Sequence, residues 1–147
     1  MYKILPMNVK HIKQVHDIET TCFSIPWSEA AFRDELAKGE RAVYAVALDE
    51  KTDTPIGYGG MWHIINEGHI TNIAVMPEFR RAGVGQQLLD YLLDAAKSLE
   101  MIGLTLEVRM GNEPAQKLYT KNGFKPEGIR KNYYESGEDA VIMWKYL

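Results

Sequence analysis

The sequence predicts an α/β protein: one mixed sheet of seven strands with four helices on its two faces, in the order β-α-α-β-β-β-α-β-α-β-β. Three observations lead there. Residues 83–99 repeat apolar side chains at helical spacing, whereas Leu104-Thr105-Leu106-Glu107-Val108-Arg109 alternates with period two. Short apolar runs bounded by Gly, Pro, Asn and Asp recur along the chain. The 147 residues suit a single domain, 1–147, that is large enough for a real core.

Residues 2–5 read as a first short strand. Asn8 can cap a helix running to about Thr21, with Ile12, Val15, Ile18 and Cys22 on one side. Pro26 closes the next loop. Ser28 caps a shorter helix in which Phe32 and Leu36 lie four apart, and Gly39 stops it. Ala42 to Leu48 is a strand and 49–55 is turn-rich. A long strand, Ile56 to Asn66, passes through a Glu67-Gly68 hairpin turn into a strand over 69–75 that Pro77 ends. The third helix, Gly83 to about Leu99, presents Val84, Leu88, Leu92, Ala95 and Leu99. Gly103 to Arg109 is a strand and Asn112 to Lys121 a helix, with Asn122-Gly123 as its left-handed stop. Phe124 to Lys131 and Ala140 to Tyr146 are the last two strands.

Composition narrows the functional classes. With 46% hydrophobic and 25% charged residues the chain is neither disordered nor membrane-like. A net charge of −3 argues against broad nucleic-acid binding. Cys22 is the sole cysteine, so no internal disulfide forms. The four histidines, His11, His16, His63 and His69, lack metal-ligand spacing, and no metal is expected. The first residues carry no signal-peptide core and no apolar run reaches spanning length, so a cytoplasmic protein without membrane association is expected.

Arg80-Arg81-Ala82-Gly83-Val84-Gly85 follows an apolar strand and opens the third helix. Glycines let backbone amides approach a ligand, two arginines flank them, and a helix N-terminus favours an anion. The implied ligand carries phosphate. A Walker loop would need Gly-Lys-Ser/Thr, but Gln86-Gln87 follow Gly85; a dinucleotide fingerprint would need glycine at Leu88. On local grounds such a segment is more often an ordinary strand-to-helix turn. By the same local reading Glu107 is a solvated strand residue and Tyr119 a core aromatic beside Leu118 and Ala115.

The R-x-x-G-x-G pattern resembles the pyrophosphate loop of the GNAT superfamily of N-acetyltransferases. Leu106 through Phe124, L-E-V-R-x-x-N-x-x-A-x-x-L-Y-x-x-x-G-F, resembles the signature of bacterial ribosomal-protein alanine N-acetyltransferases within it. Asn72-Ile73-Ala74-Val75-x-Pro77, Phe23-Ser24-Ile25-Pro26-Trp27-Ser28 and Arg130-Lys131-Asn132-Tyr133-Tyr134 agree with the same family, in order and spacing. The likeness spans nearly the whole chain, with 38–56 contributing little.

The resemblance implies two splayed parallel strands, 70–75 and 103–109, with pantetheine between them. It places a general base on Glu107 and a general acid on Tyr119. Acetyl-CoA contacts fall on Ile73, Ala74, Val75, the loop Arg80, Arg81, Ala82, Gly83, Val84 and Gly85, on Asn112, and on Tyr119. The Val75 amide becomes the expected donor to the thioester oxygen. Pro26 and Trp27 on one side and Tyr133 and Tyr134 on the other are the expected substrate walls. Gly111 departs from the family's usual serine.

The expected activity is direct acetyl transfer to a protein N-terminus, the N-terminal alanine of a small-subunit ribosomal protein, with no acyl-enzyme on Cys22. The alternatives are an acetyltransferase for a lysine, polyamine or drug, or a CoA-binding module without catalysis. Retention of both Glu107 and Tyr119 speaks against the module.

Overall fold

The computed structural model describes every residue from Met1 to Leu147. Its elements are β1 (Tyr2–Pro6), α1 (Ile12–Cys22), α2 (Glu29–Leu36), β2 (Ala42–Asp49), β3 (Thr54–Ile64), β4 (Glu67–Val75), α3 (Val84–Ser98), β5 (Gly103–Arg109), α4 (Glu113–Lys121), β6 (Lys125–Arg130) and β7 (Ala140–Tyr146). The seven strands form one sheet in the order β1-β2-β3-β4-β5-β7-β6. No helix is long and apolar enough to cross a membrane.

Caps set the helix starts. The Asn8 side chain accepts from the Lys10 amide at 3.1 Å, and its own amide donates to His11 Nδ1 at 3.1 Å, which tightens the first turn so that α1 begins at Ile12. Ser28 Oγ accepts from Ala31 N–H at 3.1 Å, and Asn112 Oδ1 from Ala115 N–H at 3.2 Å. Gly123, at φ +91°, makes the left-handed stop after α4.

One turn lies elsewhere than the sequence suggests. The β3–β4 hairpin turns at Ile65-Asn66, with Ile65 at φ +57°, and Glu67-Gly68 belongs to the strand. Gly68 is there for space: a Cβ on it would lie 2.8 Å from Met101 Sδ and 2.9 Å from Leu104 Cδ2. Glycine punctuates turns often enough to hide this second use.

The sheet is covered on both faces. Ile12, Val15, Ile18 and Phe32 of α1 and α2 pack on Tyr44, Val46, Leu48 and Tyr58. The alternate residues Ala45 and Ala47 meet Val84 and Leu88 of α3, and small side chains there let the helix lie close. Further along α3, Leu89 and Leu92 join Leu104, Leu106 and Val108 of β5, Tyr119 of α4 and Met143 of β7.

One relationship within the sheet creates the site. β4 and β5 are its parallel pair, joined only where Glu67, Gly68 and His69 face Gly103, Leu104 and Thr105. Beyond that rung β4 follows β3 to the Val75–Gly57 pair, while β5 follows β7 to Arg109–Ala140. The two strands splay, as the family resemblance implies.

Candidate active site

Two cavities open along the splay. One, of about 260 Å³, is lined by Glu19, Trp27, Asn72, Glu107, Tyr119 and Tyr134 among others. The second, a groove of about 730 Å³, runs past Val75, Arg80, Gly85 and Leu118. Phe23, Ile73, Asn112 and Ala115 border both, so a ligand lying in the groove has one end at the smaller cavity.

The groove ends on a loop whose chemistry suits an anion. Arg81 and Gly83 take left-handed backbone at φ +66° and +79°, and Gly83 is the N-cap of α3. The Gln87 amide donates to Gly83 O at 3.1 Å, so the amides of Val84, Gly85 and Gln86 precede the first helical bond. Gly85 has ordinary φ, but a Cβ on it would point across the groove to Leu118 Cδ2 at 3.7 Å. Free amides, a positive helix end and two guanidinium groups fit a phosphate ligand. Arg80 also reaches back: its Nε donates to Val75 O at 3.0 Å and its Nη2 lies 3.5 Å from Cys22 Sγ.

Of the residues the family resemblance assigns to acetyl-CoA, Ile73, Ala74, Val75, Arg80, Arg81, Gly83, Val84, Gly85 and Asn112 border the groove. Ala82 does not. Its carbonyl turns away to accept from Tyr2 OH at 3.0 Å, tying the loop to β1. The Met76 amide donates to Ile56 O at 2.8 Å. Strand alternation therefore turns the neighbouring Val75 amide away from β3 and into the splay.

Glu107 and Tyr119 both border the smaller cavity. The Glu107 side chain is 10% exposed, with Oε1 2.8 Å from His69 Nε2 and Oε2 3.6 Å from Arg130 Nε. Tyr119 packs edge-on against Phe124 at 5.5 Å. Burial, with a smaller contribution from Tyr134, holds its phenol well above the usual tyrosine range and therefore protonated.

Of the four expected wall residues, Trp27 and Tyr134 border the cavity. Pro26 and Tyr133 stand outside it. Tyr133 is 47% exposed and meets Tyr134 edge-on at 5.0 Å, so it props the wall from behind. Trp27 is fixed by its amide, which donates to Glu19 Oε2 at 2.8 Å, and by the Phe32 ring at 5.4 Å.

Other contributors lack a local sequence signature. Buried Glu19 also accepts from Tyr58 OH, to which Asn72 Nδ2 donates at 3.2 Å. Arg109 holds the β6–β7 loop: it bonds Glu135 at 2.9 Å and Glu138 at 3.1 Å, and its guanidinium lies 4.1 Å from the Tyr134 ring centre. Glu135 in turn accepts from Ser24 Oγ at 2.9 Å, joining that loop to the α1–α2 connection. Cys22, remote in sequence, sits at the groove with Sγ 3.6 Å from Val75 O. Burial raises its thiol above the ordinary value, which disfavours the nucleophilic thiolate.

Known proteins resemble this chain over nearly its whole length. A candidate ribosomal protein bS18-alanine N-acetyltransferase of Bacillus subtilis is 42% identical over 139 residues, 94% of this chain and 91% of its own length. The ribosomal protein bS18-alanine N-acetyltransferase of Escherichia coli is 32% identical over 146 residues, 97% and 96% of the two chains. The crystal structure of an Escherichia coli ribosomal-protein alanine N-acetyltransferase superposes with a TM-score of 0.89 at 32% identity, covering 99% of this chain and 94% of that one. Ard1 from Thermoplasma volcanium does so with a TM-score of 0.91 at 28% identity, covering 99% and 97%. Residues 12–124 match the family model described as Acetyltransferase (GNAT) family, and with the splayed strands and the anion loop in place, this chain belongs to that family.

Proposed function

We propose that the protein transfers the acetyl group of acetyl-CoA to the α-amine of a protein N-terminus, the N-terminal alanine of ribosomal protein bS18 or a close equivalent, in the cytoplasm. The observation that carries this reading is the junction of two cavities at the splay. One fits a phosphate-bearing donor, and the other presents a carboxylate and a protonated phenol.

The amine must lose a proton before it can attack. An α-ammonium has an ordinary pKa of about 7.7–8.0 against about 10.4 for lysine, so a single carboxylate acting through water suffices for the former. Glu107 takes that proton. The Val75 amide donates to the thioester oxygen as it gains negative charge. Tyr119 gives its proton to the departing sulfur. The thiol of Cys22, held neutral by burial, supports direct transfer over an acyl-enzyme. Ile73 and Val75 of β4 would line the pantetheine arm of acetyl-CoA, and the Arg80–Gly85 loop would hold the pyrophosphate of the same molecule.

The test is acetylation of synthetic peptides read by fragment-ion mass spectrometry. A peptide beginning with alanine gains one acetyl group at its α-nitrogen. The same peptide with a blocked N-terminus and a free lysine stays unmodified. Acetyl on lysine with the α-amine untouched would replace this reading by the other-amine alternative.

A further inference from the structure

His69 sits at the fork of the sheet. It faces Thr105 in the last paired rung of β4 and β5, and Glu107 is the next β5 residue on that face. Past this rung no backbone pairing joins the strands. The imidazole crosses the opening instead, with Nε2 2.8 Å from Glu107 Oε1. A carboxylate oxygen only accepts, so the hydrogen in that contact belongs to Nε2. Oε2 is left toward Arg130 at 3.6 Å.

The ring is itself held in place. Trp62 lies directly opposite His69 in the β3–β4 register and meets it edge-on at 5.6 Å. Trp62 Nε1 donates to Glu35 Oε1 at 2.5 Å, and Glu35 belongs to α2. A continuous line of contacts thus runs from α2 through β3 and β4 to the carboxylate on β5.

We propose that His69 is a positioning residue for Glu107: its Nε2–H fixes Oε1 and leaves Oε2 to receive the acceptor's proton. This rests on the reading of Glu107 as the base. A carboxylate on a splayed strand end would otherwise sample rotamers that do not face the amine, and misplacement by about 1 Å costs up to about 10²-fold in rate.

The experiment compares His69→Gln, His69→Asn and His69→Ala in steady-state kinetics with an alanine-initiated peptide. A glutamine amide reaches the place of Nε2 and can donate; an asparagine amide falls short. His69→Gln is expected to stay within about threefold of wild-type kcat, while His69→Asn and His69→Ala fall by about 10- to 100-fold. KM for acetyl-CoA and the melting temperature stay unchanged. In a Glu107→Gln background, adding His69→Ala slows turnover no further. Should His69→Ala fail to fold, the Gln and Asn variants carry the comparison. Wild-type kcat in His69→Ala, or equal losses in His69→Gln and His69→Asn, overturns the positioning role while leaving Glu107 as base. Wild-type turnover in Glu107→Gln overturns the base and this inference with it.

Discussion

The amide of Gly111 donates to Glu138 Oε2 at 2.8 Å, and a Cβ at Gly111 would lie 2.8 Å from the same oxygen. At Gly111, where the family resemblance implies a serine, a glutamate is thus seated where the side chain would go. Glu138 also holds Arg109, which holds the β6–β7 loop. Gly111→Ser displaces the end of a flexible side chain rather than backbone. The melting temperature is expected to change little, because a partly exposed ion pair contributes about 0.2–1 kcal/mol. The acceptor KM should rise and acetyl-CoA binding persist. A raised KM for acetyl-CoA with the acceptor KM unchanged would disconnect Glu138 from the substrate wall.

Gly85 separates helix stability from phosphate binding. Gly85→Asp introduces an acid into the first turn of α3, which favours the helix but repels a phosphate. Coenzyme A at about 100 times its Kd stabilises the native wild-type protein by about 2.7 kcal/mol. For a chain of this size that raises the melting temperature by about 5–10 °C. The variant without ligand should melt no lower than wild type, yet lose most of the coenzyme A shift. An undiminished shift would mean that the phosphates bind elsewhere.

Glu107→Gln and Tyr119→Phe keep shape and remove one proton-transfer group each. Turnover should fall by about 10²–10⁴-fold in the first and by a smaller factor in the second, with coenzyme A binding intact in both. Calorimetry beside peptide kinetics checks this. Near wild-type rates in both variants would mean that the site only positions an amine already neutral in solution.

Four tyrosines make stability fall at high pH. Burial raises the phenols of Tyr44, Tyr58 and Tyr119, with the Glu35 and Glu19 carboxylates adding to the first two, and it pushes Tyr134 up to about 12. The unfolded phenols ionise near pH 10. Below that pH both states hold the proton and the contribution is fully present. Above it the unfolded chain loses protons that the folded chain keeps, so stability declines by about 1.4 kcal/mol per pH unit for each fully buried phenol. Denaturant midpoints should fall gently from about pH 8.5, where the unfolded Cys22 thiol begins to ionise, and steeply above about pH 10. Replacing Tyr58 with Phe should make that drop shallower. An unchanged alkaline slope in the variant would assign the loss to other groups.

Short-range patterning determined a good deal of this protein. The alternation in 103–109 marks β5, because adjacent side chains of a strand face opposite ways. Asn8, Ser28 and Asn112 mark helix starts, because a cap bonds an amide two or three residues away. The 80–85 segment stood out as a candidate anion-binding turn for the same reason, since its glycines, arginines and helix start are contiguous. Glu107 and Tyr119 were legible only through the longer resemblance, as each looks locally like an ordinary strand or core residue.

The tertiary structure decided what distant segments do together. Gly68 looks like a turn residue until Met101 and Leu104 are seen packed where its Cβ would be. His69 meets Glu107 across 38 positions, Ser24 meets Glu135 across 111, and Cys22 reaches Val75 across 53. No local period encodes such pairs. They arise because β4 and β5 pair for three rungs and then part, each following a different neighbour. Where the backbone ladder stops, side chains from separate elements fill the opening: sheet register brings His69 to Glu107, and the placement of α1 and the two loops brings Cys22 to Val75 and Ser24 to Glu135.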